Sequence, residues 1–174
     1  MRDLAQKWTP VPDWTTATLT APGLAIRSLA GFSQYLVSGN LAAWQEASGI
    51  AGSGVGALAI ANGDAYALCV ARDRLLAVSK APLAIAAGWH PSGFAVTTFA
   101  AGLHMVEIEG PAMPSLFARA TTLDPGGETA SASLLFAGIG ALCCHHGHND
   151  RLRVHVDRAL APYLWKWLEQ AASV

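Results

Sequence analysis

Between Arg151 and Gln170 the spacing of apolar positions changes from every second residue to every third or fourth. Leu152, Val154 and Val156 alternate with Arg151, Arg153, His155 and Asp157, the pattern of a half-buried strand with one apolar and one polar face. Leu160, Tyr163, Leu164, Trp167, Leu168 and Ala171 then fall on one stripe of an amphipathic helix. Pro162 has no N–H to donate, so it belongs in the first helical turn. The helix is therefore expected to start near Ala159, with Asp157 as its cap. Such a strand and helix need a sheet, which the upstream chain must supply.

Upstream, residues 1–22 contain Pro10, Pro12 and Pro22 and read as an extended arm. Trp8 and Trp14 on that arm either tuck onto the body or reach a partner. Residues 24–29 read as a strand, and Asn40 as the cap of a short helix ended by Gly49. Residues 56–60 and 65–71 suggest a hairpin around Asn62-Gly63, with a returning strand at 75–79 and a short helix from Pro82 to Ala87. In the second half, strands are expected at 94–99 and 104–110. A helix opened by Pro111 follows, with Met113, Leu116, Phe117 and Ala120 on one face. Residues 131–146 form either one long strand bent at Gly138 and Gly140 or two short ones. GHND (147–150) is the turn into the final strand. A four-residue turn there places residue 145 opposite 152 and residue 142 opposite 155. The predicted class is α+β. A body of residues 23–174 holds two pseudo-repeated β-α-β-β-α units with antiparallel sheets, about 23–90 and 91–174.

Composition narrows the function. Of 174 residues, 52% are hydrophobic and only 13% charged, so the chain can build a core and is not a disordered segment. A surface so poor in charge suits a protein that hides part of itself against a partner. A net charge of -1 gives no footprint for nucleic acid. The longest apolar run, LLFAGIGALCC, is well short of the ~20 residues of a membrane span. Three cysteines, without scaffold spacing, and no apolar leader point to the cytoplasm.

Candidate chemistry is sparse. Cys143, Cys144, His145, His146 and His148 cluster in sequence, but on a strand Cys143 and His145 face one way and Cys144 and His146 the other. Cys143 and His145 are thus a weak metal pair, and the plainer reading is an apolar strand entering a polar turn. Cys69, Cys143 and Cys144 read as small core residues, and His90 and His104 as surface or loop residues. Glu107 and Glu109 share one face of a strand and read as its solvated side. Gly52-Ser53-Gly54-Val55-Gly56 lacks the Lys-Ser/Thr of a phosphate loop, and no Gly-x-Ser-x-Gly elbow is present. No catalytic set emerges. Trp165 lies off the predicted inner stripe, either as an exposed anchor for a partner or folded over the helix shoulder.

Several stretches resemble one family. VHVDRALAPYLWKWL, MVEIEGPAMPSLFARATTLD, CVARDRLLAV and FAVTTFAAGLHMVEI are similar to segments of the sarcosine oxidase gamma-subunit family, over roughly residues 24–170. Departures fall at Arg158-Ala159, Asp73-Arg74-Leu75 and Ser131-Ala132-Ser133, where the family has Arg-Ser, Asp-Glu-Trp and an Arg-Thr pair. The resemblance implies a fold akin to the folate-binding aminomethyltransferase (T-protein) group and a place beside larger alpha and beta subunits. It further implies that FAD, FMN, NAD and tetrahydrofolate sit on those subunits, with no cofactor on this chain. Trp165, Trp8 and Trp14 are then candidate partner-interface residues. The expected function is a non-catalytic accessory subunit of a sarcosine-oxidase-like complex. The alternatives are a stand-alone folate or pterin binder and a homo-oligomer, such as a homodimer, without ligand.

Overall fold

The computed structural model describes residues 11–50, 52–124, 127 and 129–173. The first half contains strands β1 (Thr18–Ala21), β2 (Leu24–Leu29) and β3 (Ser33–Gly39), helix α1 (Leu41–Ser48), and strands β4 (Ile60–Ala61), β5 (Ala65–Ala71), β6 (Arg74–Ser79) and β7 (Gly88–His90). The second contains β8 (Phe94–Thr98), β9 (Leu103–Glu109), α2 (Met113–Ala120), β10 (Ser133–Phe136), β11 (Ile139–His146), β12 (His148–Asp157) and α3 (Ala161–Ala172). This is a mixed α+β protein with antiparallel sheets. Among the described residues no helix is long and apolar enough to cross a membrane.

The strands form two sheets. The larger runs β1-β2-β9-β12-β11-β10, with β4 added in parallel to β11, and the smaller runs β5-β6-β3-β8-β7. Role by role, the order β1-β2-β9-β12-β11 matches β7-β8-β3-β6-β5. The expected boundary near residue 90 does not separate the sheets. The early hairpin β1–β2 joins β9, and β7–β8 joins β3. The β1–β2 hairpin thus joins the sheet built on β9, and β8 joins the sheet built on β3, so neither sheet is made by one half alone.

Helices cover one face of each sheet. α2 and α3 lie over Ile26, Val106, Ile108, Leu152, Val154 and Val156 of the larger sheet. α1 places its Trp44 against Tyr35, Val37, Ala77 and Val96 of the smaller. The remaining two faces turn toward each other around Tyr66, Leu68, Leu76, Val78 and Cys144. The result is four layers, helix–sheet–sheet–helix. Local signals place the helices. Asn40 accepts from the Ala43 N–H at the start of α1, and Gly49 closes it with φ 70°. Asp157 accepts from the Ala159 N–H, which opens the single 3-10 turn before α3, as its sequence suggests. Pro114 and Pro162 sit in first turns, where an N–H has no partner. Gly110 lets β9 pass the β1–β2 turn; a Cβ there would lie 2.3 Å from the Gly23 carbonyl oxygen.

Three expectations change, and one open alternative is resolved. Residues 56–60 are not one arm of a hairpin across Asn62-Gly63. Only Ile60–Ala61 is extended, and it pairs in parallel with His145–His146, because strand β11 leaves an edge there. Residues 82–87 form no helix; Ala81-Pro82 leads through turns into β7. Residues 131–146 are two strands joined by a tight turn at Ala137 (φ 52°) and Gly138 (φ 79°), both in the left-handed region that a two-residue hairpin requires. Finally, the buried stripe of α3 is rotated. Ala161, Leu164, Trp165 and Leu168 are buried, whereas Leu160 and Tyr163 are exposed. The reason is the arm. Trp14 meets Trp165 edge-on with ring centroids 5.6 Å apart, which turns the Trp165 side inward. The Tyr163 hydroxyl donates to the Ala137 carbonyl at 2.9 Å, and Trp167 packs on Phe136.

Trp165→Ala removes an indole that is 95% buried under the arm and the sheet. We expect a stability loss of about 3–5 kcal/mol in equilibrium urea unfolding. A loss below about 1 kcal/mol would show that the indole is not packed there.

Candidate functional site

The facing sides of the sheets hold the polar residues. Along the larger sheet, register places Arg27 beside Glu107, Glu107 beside Arg153, and Arg153 beside Cys144. One cross-strand row therefore reads cation, anion, cation, thiol. Arg27 Nε donates to Glu107 Oε1 at 2.9 Å, with a second contact from its terminal nitrogen to the same oxygen. Arg153 Nε donates to Oε2 at 2.8 Å. Glu107 is only 1% exposed. Burial alone would raise its pKa, but the hydrogen bonds from Arg153 and Arg27 outweigh that and hold it below the ordinary glutamate value. In the next row Arg151 grips Glu109 through two bonds of 2.9 and 3.1 Å. The Arg153 guanidinium lies 5.4 Å from the ring centres of both Phe32 and Tyr66, within cation–π range.

A relay runs from this row toward the β2–β3 connection. The Tyr66 hydroxyl reaches His155 Nε2 at 3.5 Å, and His155 Nδ1 meets Gln34 Oε1 at 2.8 Å. The Gln34 amide nitrogen donates to the Leu103 carbonyl. An amide oxygen only accepts, so the proton of neutral His155 is on Nδ1. Burial, aided by the Arg153 charge, depresses its pKa to about 3. Burial pushes the Cys144 thiol up to about 12 and raises Tyr66 above the usual tyrosine range. These groups stay neutral at pH 7 and are poor nucleophiles or proton shuttles there.

Beside the relay lies a cleft of about 240 Å³ lined by Trp14, Phe32, Gln34, His104 and Arg158, among others. His104 is buried against Trp14, with ring centroids 4.4 Å apart, and lies 3.3 Å from Ser28 Oγ. The Ser28 hydroxyl donates to the Trp14 carbonyl, so His104 Nε2 carries the proton given to Ser28. Burial, then the nearby Arg158 charge, lowers the pKa of His104 to about 4.

The sequence-based candidates fall as follows. Trp165 is not an exposed anchor: it is buried beneath Trp14, because the arm folds across it. Trp14 is tucked, half-buried between His104 and Trp165. Trp8 lies outside the described residues. Cys143 and His145 point to the helix side as their parity requires, but among the described residues no three His, Cys, Asp or Glu side chains converge on a metal position. The register expected for β11–β12 is observed, with His145 opposite Leu152 and Leu142 opposite His155. Two readings are corrected. Glu107 is not on a solvated face, and His104 is not a surface residue, because the smaller sheet and the arm cover them. One signal in the sequence marks the cluster. Arg27, Glu107, Arg153 and His155 occupy the polar parity of strands whose other parity is mostly apolar, with Ser28 and His104 as exceptions. What hides it is that burial of that side needs a second sheet.

Two outcomes follow. Glu107→Gln leaves two guanidinium groups short of their carboxylate, and we expect a loss of about 3–5 kcal/mol in urea unfolding; a loss under about 1 kcal/mol would contradict the cluster. The second outcome concerns pH. His104 and His155 have folded pKa values below the free histidine value. The unfolded chain therefore binds more protons below pH 6.5, and stability present above that pH is lost as pH falls toward 4. Thermal melts should show a loss on the order of 1–2 kcal/mol per pH unit across that window, shallower in His155→Leu. A flat profile between pH 6.5 and 4 would show that the fold depresses the pKa of neither ring.

No family model matches this chain, and no curated protein matches it. Among solved structures, the chain matches, with a TM-score of 0.66 and 18% identity, a chain of the heterotetrameric sarcosine oxidase from Corynebacterium sp. U-96 in complex with pyrrole 2-carboxylate. The match covers 86% of this chain and 84% of that one. The resemblance to sarcosine oxidase carried by the sequence is thus present at the level of the whole fold.

Proposed function

We propose that this chain is a non-catalytic, structural subunit of a heteromeric sarcosine-oxidase-like flavoenzyme, working in the cytoplasm beside larger alpha and beta subunits. The observation that carries this reading is the fold. It matches, nearly end to end, a chain of similar length from a heterotetrameric oxidase. In this reading FAD, FMN, NAD and tetrahydrofolate belong to the larger subunits. The chemistry of the interior supports it. Glu107, Arg153, His155, Gln34 and Tyr66 bind one another between two sheets, and His155 and Tyr66 stay neutral at pH 7. The matched strand orders of the two sheets support a pseudo-duplicated plan like that of the folate-binding aminomethyltransferases, with the leading hairpins exchanged.

The test is co-expression with the larger sarcosine oxidase subunits of the same organism, followed by native mass spectrometry. The expected result is a heteromer that contains this chain and carries flavin, while the chain purified alone does not turn over sarcosine. Failure to join any such heteromer, or sarcosine turnover by the lone chain, contradicts the proposal.

A further inference from the structure

The cleft of about 240 Å³ lies where β9 begins, and its lining comes mainly from the arm, the β2–β3 connection and the start of β9. Pockets for drug-sized molecules run to about 300–1,000 Å³, so this one suits a single ring with a short substituent. Trp14 and Phe32 give it aromatic wall.

Its polar lining has hydrogen-bonding capacity to spare. His104 is 5% exposed and gives its Nε2 proton to Ser28 Oγ, so its Nδ1 is an acceptor without a partner among the described residues. The ring stays uncharged at neutral pH, because burial and the Arg158 charge both oppose protonation. Gln34 is 4% exposed. Its amide oxygen accepts from His155, and its amide nitrogen donates to the Leu103 carbonyl. An amide nitrogen has two hydrogens, and the second has no partner among the described residues. The Arg158 N–H donates to the Gly102 carbonyl, which sets that residue beside the start of β9. Its side chain is exposed at the mouth of the cleft and makes no ion pair or hydrogen bond among the described residues. Two carboxylates stand near it in the fold. Asp13 binds Thr15, and Asp157 accepts from the Ala159 N–H; neither lines the cleft. A buried acceptor, a buried donor and a free guanidinium thus share one small cleft.

We propose that this cleft binds a small aromatic monocarboxylate that also carries one N–H or O–H donor. Arg158 takes the carboxylate, for which a planar guanidinium is suited, and Gln34 adds a second N–H. His104 Nδ1 can only accept, so it selects the ligand's donor. The ring lies against Trp14 and Phe32. A cationic ligand meets Arg158, and a ligand without a donor leaves His104 Nδ1 unpaired. This binding activity goes beyond the subunit reading and does not depend on it.

The test is NMR titration of the full, isotope-labelled chain at pH 7. The probes are 2-, 3- and 4-hydroxybenzoate, their methyl esters, and benzoate. The expected result is saturable binding of at least one hydroxybenzoate with a Kd below about 10 mM. Its shifts should be confined to the Trp14 indole and the amides of residues 30–34 and 103–105. Benzoate, which lacks the donor, should bind at least about threefold more weakly, and the matching ester, which lacks the charge, at least about tenfold more weakly. Arg158→Gln, on an exposed side chain, should lower affinity at least about tenfold with melts unchanged. Arg74→Gln, on an exposed arginine of β6, should keep it within about twofold. His104→Leu should erase the preference for hydroxybenzoate over benzoate; because that ring is buried, the probe series in the wild type tests the same point without it. No saturable binding, an ester that binds as well as its acid, or equal loss in Arg74→Gln overturns the site. Benzoate binding as tight as the best hydroxybenzoate overturns the pairing with His104, and shifts spread beyond the cleft overturn the location. Each of these outcomes leaves the subunit reading standing.

Discussion

One carboxylate, Glu107, is held between two guanidinium groups that reach it from the strands on either side. This contact fixes the middle of the larger sheet. A slip of β9 by one residue would turn Glu107 under α2 and α3 and expose Val106 and Ile108 to the facing side, since alternate residues exchange faces. Both errors are expensive, because an unpaired charge among apolar side chains costs several kcal/mol. A buried ion triad often adds little net stability over an apolar packing of the same volume. Its effect here is to leave one register available to β2, β9 and β12, and so to fix where the exchanged hairpin β1–β2 attaches.

The same contact explains the second layer. Glu107, Arg153 and His155 are tolerable in the interior only because partners complete them, and several partners come from the smaller sheet and its approach: Gln34, Tyr66 and Phe32. The smaller sheet is therefore more than a lid. It completes the hydrogen-bonding and cation–π surroundings that the larger sheet leaves open. Because strands of both halves enter both sheets, the chain closes as one body. Its main polar cluster is directed inward, between the two sheets.

Much of this was legible in the residues. The alternation over 151–157, the cap at Asp157 and the stripe over 113–120 rest on local chemistry, and they appear in the fold. The β11–β12 register also appears, but not through the expected turn at 147–150: the chain reverses at Gly147, His146 pairs with His148, and a bulge at His145/His146 restores the register. What escaped is whatever depends on distant pairing. Residues 60–61 carry a strong local hairpin signal, yet they pair with β11, because tertiary contact overrides the turn. Glu107 and Arg153 read as a solvated side because half-buried strands usually have one, and only a second sheet changes that. Trp165 lies off the inner stripe on the helical wheel, which leaves an exposed anchor and a place over the helix shoulder both open; only Trp14, more than a hundred residues earlier in the chain, decides it by covering the indole.

The ionisation of Glu107 is the most direct measure of whether this interior exists as described. Carbon-detected NMR titration of its side-chain carboxyl would follow it through the acid range in the folded protein. The account predicts a midpoint below the free glutamate value of 4.5, with the charge lost only as the fold itself gives way. A midpoint at or above 4.5 in the folded chain would contradict it, because a carboxyl so buried can ionise that late only if its arginines are elsewhere.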